Sequence, residues 1–200
     1  KSFQDIFNAK IEICMQELDF SNKETQEKLK DAKFKTLNEF TLYFDNSSDA
    51  KKLNSSSQKV FFKMIEKNIF RLDPKFPTAL ETSNYTINVI EPSWIHLVFC
   101  YQLLIRFLVL FPDAEYINFS LVKRAIYLMQ LPDSNERTQL VSFLKLYYDM
   151  HPSDHLLIMT EIRNSLIALY TGQLSPFCMM PLLLIFSHIL FRQLNQNQKI

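Results

Sequence analysis

Four histidines, three cysteines and 21 carboxylates are the groups with which this 200-residue chain could do chemistry. His151 and His155 stand four residues apart, a spacing that puts two imidazoles on one helix face and suits a metal ion. Pro152 and Ser153 lie between them, so a turn is expected instead, with Asp154 near a positive helix start. No metal site is expected. Cys14, Cys100 and Cys178 sit in Ile-Cys-Met, Phe-Cys-Tyr and Phe-Cys-Met contexts, where a reactive thiolate is disfavoured. They read as buried reduced thiols of a cytoplasmic or nuclear protein. Asp113 and Glu115 share a turn, an ordinary place for two exposed acids. No Ser-His-Asp or Cys-His order can be picked out. The expectation is a non-enzyme that needs no cofactor.

The elements that would position any site are helical. The chain holds one glycine, Gly172, where average usage of about 7% would give roughly fourteen. Phosphate loops, dinucleotide loops and nucleophile elbows each need more than that. Asn-Gly and Asp-Gly hairpin turns are absent too. Apolar residues recur at helical spacing: Phe3, Phe7, Ile11, Cys14 and Leu18 in a helix over 2–20; Leu29, Leu37, Phe40 and Phe44 over 22–44; Phe61, Met64, Ile65 and Ile69 over about 50–72. Ser21 and Glu24 have the spacing of a capping box for the second helix. Pro74, Pro77 and Pro92 mark a loop over 73–92. Further helices are expected over 93–111, 117–130, 133–150, 154–171 and about 176–194, separated by Pro/Asp turns, with Gly172 as a left-handed cap. The expected fold is all-α: a HEAT-like helical-repeat array, or α-solenoid, of about eight helices forming a single unit over 1–200. Within it 1–72 and 93–200 would be repeats and 73–92 a connecting loop.

Charge and hydropathy narrow the partners. Net charge is +1, without the basic excess of a nucleic-acid surface. Residues 1–90 carry 14 basic and 13 acidic groups and residues 91–200 carry 8 of each, so the second half is the more apolar. The lysines at 23, 28, 30, 33 and 35 are interleaved with Glu24, Glu27 and Asp31, as on a solvated helix face. The run Trp94–Phe111 has the length of a membrane span but contains His96, Gln102 and Arg106, which suits a core helix better. Met179–Phe191 is too short to span and holds Pro181 and His188. Neither nucleic acid nor membrane is an expected partner. Leu182, Ile185, Phe186, Ile189 and Leu190 cover more than one face of the last helix, so something is expected to cover that surface.

One stretch resembles a known family. Glu91-Pro92-Ser93-Trp94-Ile95-His96, continuing to Leu104-Ile105-Arg106-Phe107-Leu108, is similar to the motif of the B56 (B-prime) regulatory subunits of protein phosphatase 2A. Asp133-Ser134-Asn135-Glu136-Arg137 looks like that family's Asp-Pro-Arg-Glu-Arg turn, with Leu140, Leu144 and Tyr148 in register after it. Leu18-Asp19-Phe20-Ser21 and Asn68-Ile69-Phe70-Arg71, with Pro74 following, are similar as well. The resemblance covers about residues 5–192 and looks like the family's N-terminal half. It implies a curved array of HEAT-like repeats and a non-catalytic protein that joins phosphatase scaffold and catalytic subunits and binds short Leu-x-x-Ile-x-Glu peptides. The alternative is an unrelated HEAT-repeat adaptor. By position, the resemblance assigns the peptide groove to Phe143, Lys145, Leu146, Tyr148, His155, Ile185 and Ile189. Lys145-Leu146 replaces a His-Arg pair of the family, and His155 replaces an arginine. Losing charge-assisted hydrogen bonds of that kind costs about 1.5–3 kcal/mol each, so weak or altered peptide preference is expected.

Overall fold

The structure is a computed structural model that describes residues 3–22, 24–71 and 89–197. Those residues form nine helices and no strand: α1 (Phe3–Met15), α2 (Glu27–Asp45), the single turn α3 (Ser47–Ala50), α4 (Ser55–Ile69), α5 (Trp94–Leu110), α6 (Phe119–Leu128), α7 (Ser134–Met150), α8 (His155–Tyr170) and α9 (Met179–Asn197). The all-α expectation holds. The loop expected over 73–92 lies outside the described residues as far as residue 88.

The helices gather into two compact units, Lys1–Arg71 with Glu91–Tyr116, and Leu72–Ile90 with Ile117–Ile200. In the first, α1 packs on α2 and on α4, while α2 and α4 both pack on α5. In the second, α6 packs on α7 and on α8, while α7 and α8 both pack on α9. Each unit is thus two successive helix pairs in which first helix meets first and second meets second, the stacking rule of helical repeats.

The first core is aromatic. Phe61 of α4 stacks on Phe44 of α2 at 4.4 Å between ring centroids and takes the edge of Phe40 at 5.1 Å. Burying each such side chain contributes about 1.5–3 kcal/mol. Polar ties fix the pairing: Asn68 Nδ2 donates to the Cys14 carbonyl at 3.1 Å, and Arg106 Nε donates to Asp45 Oδ1 at 2.6 Å. Arg106, the residue that argues against a membrane span, therefore pairs across from α5 to the end of α2.

In the second unit the 133–137 turn shows its physical purpose. Asp133 caps α7 by accepting from the Asn135 N–H at 2.7 Å. Arg137 Nη1 turns back to the carbonyls of Leu131 and Pro132, at 2.6 and 2.7 Å, and its guanidinium lies over the Phe177 ring at 5.0 Å. One side chain thus satisfies the carbonyls that the Leu131–Pro132 break leaves open. Gly172 closes α8 with φ +75°, the Gln173 N–H reaching back to the Ala168 carbonyl at 2.8 Å and its own N–H to Leu169 at 3.0 Å. This is the Schellman arrangement that a glycine at that position permits.

Three expectations need correction. α1 stops at Met15, and the Ser21–Glu24 capping box does not form. Asp19 instead accepts from Ser21 and Asn22 from Glu24, local turns that compete with a helix start. α2 then opens at Glu27 behind Gln26, which takes φ 59°. Lys33 is not on a solvated face; it is buried between α2 and the segment after α1, donating to the Gln16 carbonyl at 2.8 Å. Third, α9 runs to Asn197, past the expected segment, so Pro176–Asn195 has the length and mean hydropathy of a membrane crossing.

Candidate functional site around Tyr148 and His155

The candidate groove residues come from the end of α7, the start of α8 and the middle of α9. Pro152–Asp154 forms a 3₁₀ turn that ends α7 and starts α8, so residues seven apart in sequence meet. The His155 ring stacks on the Tyr148 ring at 3.7 Å and 6°. His155 Nε2 is 2.7 Å from the Tyr148 carbonyl, a bond that fixes the proton on Nε2. A second stacked pair lies one residue back: Tyr147 on His151 at 4.1 Å, with the Tyr147 hydroxyl donating to Asp154 Oδ2 at 2.6 Å. Burial, reinforced by that carboxylate, pushes the Tyr147 phenol far above its ordinary value. The two histidines considered as metal ligands are thus each spent on a tyrosine. Among the described residues there is no group of three or more His, Cys, Asp or Glu placed to hold a metal ion.

Asp149 joins the site from the next position of α7. His188 Nε2 lies 2.9 Å from Asp149 Oδ1, and Arg192 Nη2 donates to Asp149 Oδ2. Burial alone would raise the Asp149 carboxyl, but the hydrogen bonds from Arg192 and His188 outweigh it and hold the group below its ordinary value. Tyr148, Asp149, Pro152, His155 and Arg192 together line a shallow cavity of about 210 Å³.

The seven expected groove residues separate into two sets. Phe143, Tyr148, Ile185 and Ile189 are buried; Ile185 is 1% exposed and Ile189 0%. Lys145, Leu146 and His155 are half-buried. Tyr148 and His155 meet in one cavity, which Lys145 and Leu146 do not line. Ile185 and Ile189 form the stripe by which α9 packs inward, so the apolar anchors assigned to a peptide are occupied as core. Asp149, His188 and Arg192 are the residues that sequence reasoning missed. The available signal was the i, i+4 spacing of His188 and Arg192 on an otherwise apolar helix; their acid lies 39 and 43 positions away.

Comparison with known proteins gives this arrangement a context. The family model described as "Protein phosphatase 2A regulatory B subunit (B56 family)" matches residues 1–199. The chain is 32% identical over 160 residues to the B' alpha isoform of the 57 kDa serine/threonine protein phosphatase 2A regulatory subunit of Arabidopsis thaliana, covering 72% of this chain and 31% of that protein. It is 28% identical over 167 residues to the alpha isoforms of the 56 kDa regulatory subunit of Mus musculus and Homo sapiens, covering 80% of this chain and 34% of each. The matched segment thus spans about a third of the length of these curated relatives. The family match disfavours an unrelated helical array: the chain belongs to the B56 family of protein phosphatase 2A regulatory B subunits.

Proposed function

We propose that the chain serves as a non-catalytic regulatory part of a protein phosphatase 2A assembly, contacting the scaffold and catalytic subunits and selecting substrates through short linear motifs. The carrying observation is the family match over residues 1–199. The paired-helix architecture supports it, because stacked helix pairs offer extended side-chain surfaces for protein partners. Three unpaired buried cysteines suit a cytoplasmic or nuclear setting, where thiols stay reduced. Co-purification of the tagged chain with phosphatase scaffold and catalytic subunits tests the reading, and retention of both is expected. Failure to retain either, with the chain folded by circular dichroism, would sink it.

The motif site is proposed around Tyr148 and His155. The cavity there is open to solvent-borne ligands, whereas Ile185 and Ile189 are already packed. A Leu-x-x-Ile-x-Glu peptide is therefore expected to bind weakly, its acid drawn to Arg192 in competition with Asp149.

A further inference from the structure

The cavity around Tyr148 has a permanent cation, Arg192, and an acid, Asp149, in its lining, and the two are bonded to each other. Its remaining walls are flat. The stacked rings of Tyr148 and His155 form one and Pro152 another. Which polar group of a peptide this cavity accepts depends on what Arg192 and Asp149 still have to offer.

Both have capacity left. A guanidinium carries five N–H donors. Among the described residues Arg192, half exposed, commits only Nη2, to Asp149 Oδ2. A carboxylate has about four lone-pair sites. Asp149, 26% exposed, accepts from Arg192 on Oδ2 and faces His188 Nε2 with Oδ1, so acceptor sites remain. Despite its burial, those two bonds keep Asp149 ionised at neutral pH, so it accepts and cannot donate. His155 Nε2 is already spent on the Tyr148 carbonyl. A carboxylate entering here would gain donors from Arg192 but would meet a like charge that already holds them. A cationic group would gain Asp149 and meet Arg192. A primary amide carries an acceptor and two donors and no charge, so it can bond both members of the pair without repelling either.

We propose that the cavity takes the side-chain amide of a glutamine or asparagine in a partner peptide, and that Asp149 is the residue that sets this preference over a carboxylate. The amide oxygen accepts from Arg192, the amide NH2 donates to Asp149, and the methylenes of the same side chain lie against Pro152 and the Tyr148–His155 stack. Asp149 thus stands where an acidic motif would place its own carboxylate, and turns an acid-binding arginine into half of an amide clamp. The inference rests on the reading that a peptide binds around Tyr148, and it names the side chain that this site selects.

The test is a titration of the full chain into two fluorescein-labelled peptides, Leu-Ala-Ala-Ile-Ala-Gln and Leu-Ala-Ala-Ile-Ala-Glu, both amidated at the C-terminus and followed by anisotropy. The wild type should bind the Gln peptide at least threefold more tightly than the Glu peptide. Asp149→Asn keeps the shape and removes the charge, so the order should reverse, with the Glu peptide at least threefold tighter. A purely structural role for Asp149 would weaken both peptides alike and leave their order unchanged. Arg192→Met should weaken the Gln peptide at least threefold with helicity unchanged. If Asp149→Asn does not fold, the wild-type pair and Arg192→Met decide the matter. Equal affinity of the wild type for the two peptides, tighter binding of Glu, an order that survives Asp149→Asn, or wild-type affinity for the Gln peptide in Arg192→Met would each overturn the inference while leaving a peptide site around Tyr148. Saturation by neither peptide, in the wild type and in Asp149→Asn, would instead overturn that site, and the inference with it.

Discussion

His96 and Asp149 are two titrating residues whose surroundings have a consequence for stability between pH 3 and 7. His96 is held neutral by desolvation, and its folded pKa of about 4 lies below the ordinary 6.5. As pH falls from 6.5 to 4 the unfolded chain takes up a proton that the folded chain refuses, so acid favours unfolding across that window and stability recovers above it. The full shift corresponds to about 3 kcal/mol. Urea unfolding of the wild type should show stability rising between pH 4 and 6.5, and His96→Gln should flatten that slope; an unchanged slope in the variant would assign it to other groups. Asp149 changes stability in the same direction over a more acidic window. Its folded pKa is lowered, so its contribution is present above the unfolded carboxyl value and is lost as pH falls through the folded one. Asp149→Asn should cost about 1 kcal/mol at pH 7, since Arg192 is half exposed and the pair is partly screened. The gap to wild type should begin to narrow below about pH 4 and go on narrowing as pH falls through the lowered folded value, as a series of unfolding curves from pH 7 downward would show.

At the scale of the element, what could be read from sequence depends on whether the deciding interaction is local. The α4 stripe of Phe61, Met64, Ile65 and Ile69 is wholly buried, as its spacing demands. Gly172 is legible because a left-handed cap is a property of one residue. The α1–α2 boundary is not, because Ser21 and Glu24 have a stronger local competitor in the Asp19 and Asn22 turns. Burial of Lys33 is invisible in the sequence, since it depends on the chain returning over α2 after Met15. In the candidate site, Tyr148 and His155 came only from family resemblance, and Asp149 with His188 and Arg192 needed the packing of α7 on α9. Gly172 also permits a clean element-scale measurement. A Cβ added there would meet nothing within 4 Å, so Gly172→Ala tests backbone strain alone. A loss of about 1 kcal/mol is expected, with Gly172→Asn losing less because Asn tolerates the left-handed region better. Equal stability of Gly172→Ala and wild type would mean that the cap does not constrain α8.

For the whole molecule, the consequential feature is the surface that α9 leaves uncovered. Its buried stripe of Leu182, Ile185 and Ile189 faces α7 and α8, while Phe186, Leu190, Phe191 and Leu194 remain on the outside, Phe191 at 61% exposure. Met179, Met180, Leu183 and Leu184 extend the same apolar surface toward the start of the helix. Contiguous apolar area of this kind is unusual on a free protein and drives association. In a stacked-pair architecture it is also the face on which another pair would pack. The chain by itself should therefore bind a hydrophobic dye and self-associate as its concentration rises, even though its own cores are complete. Phe191→Glu with Leu194→Glu should suppress both effects in dye titrations and sedimentation, because two charges on that face must be desolvated for any apolar partner to seat. Neither side chain contributes to the buried stripe, so the unfolding free energy should stay within about 0.5 kcal/mol of wild type. Persistent association of the double variant would place the contact elsewhere on the molecule, and a large loss of stability would mean that the outer face of α9 supports the fold rather than awaiting a partner.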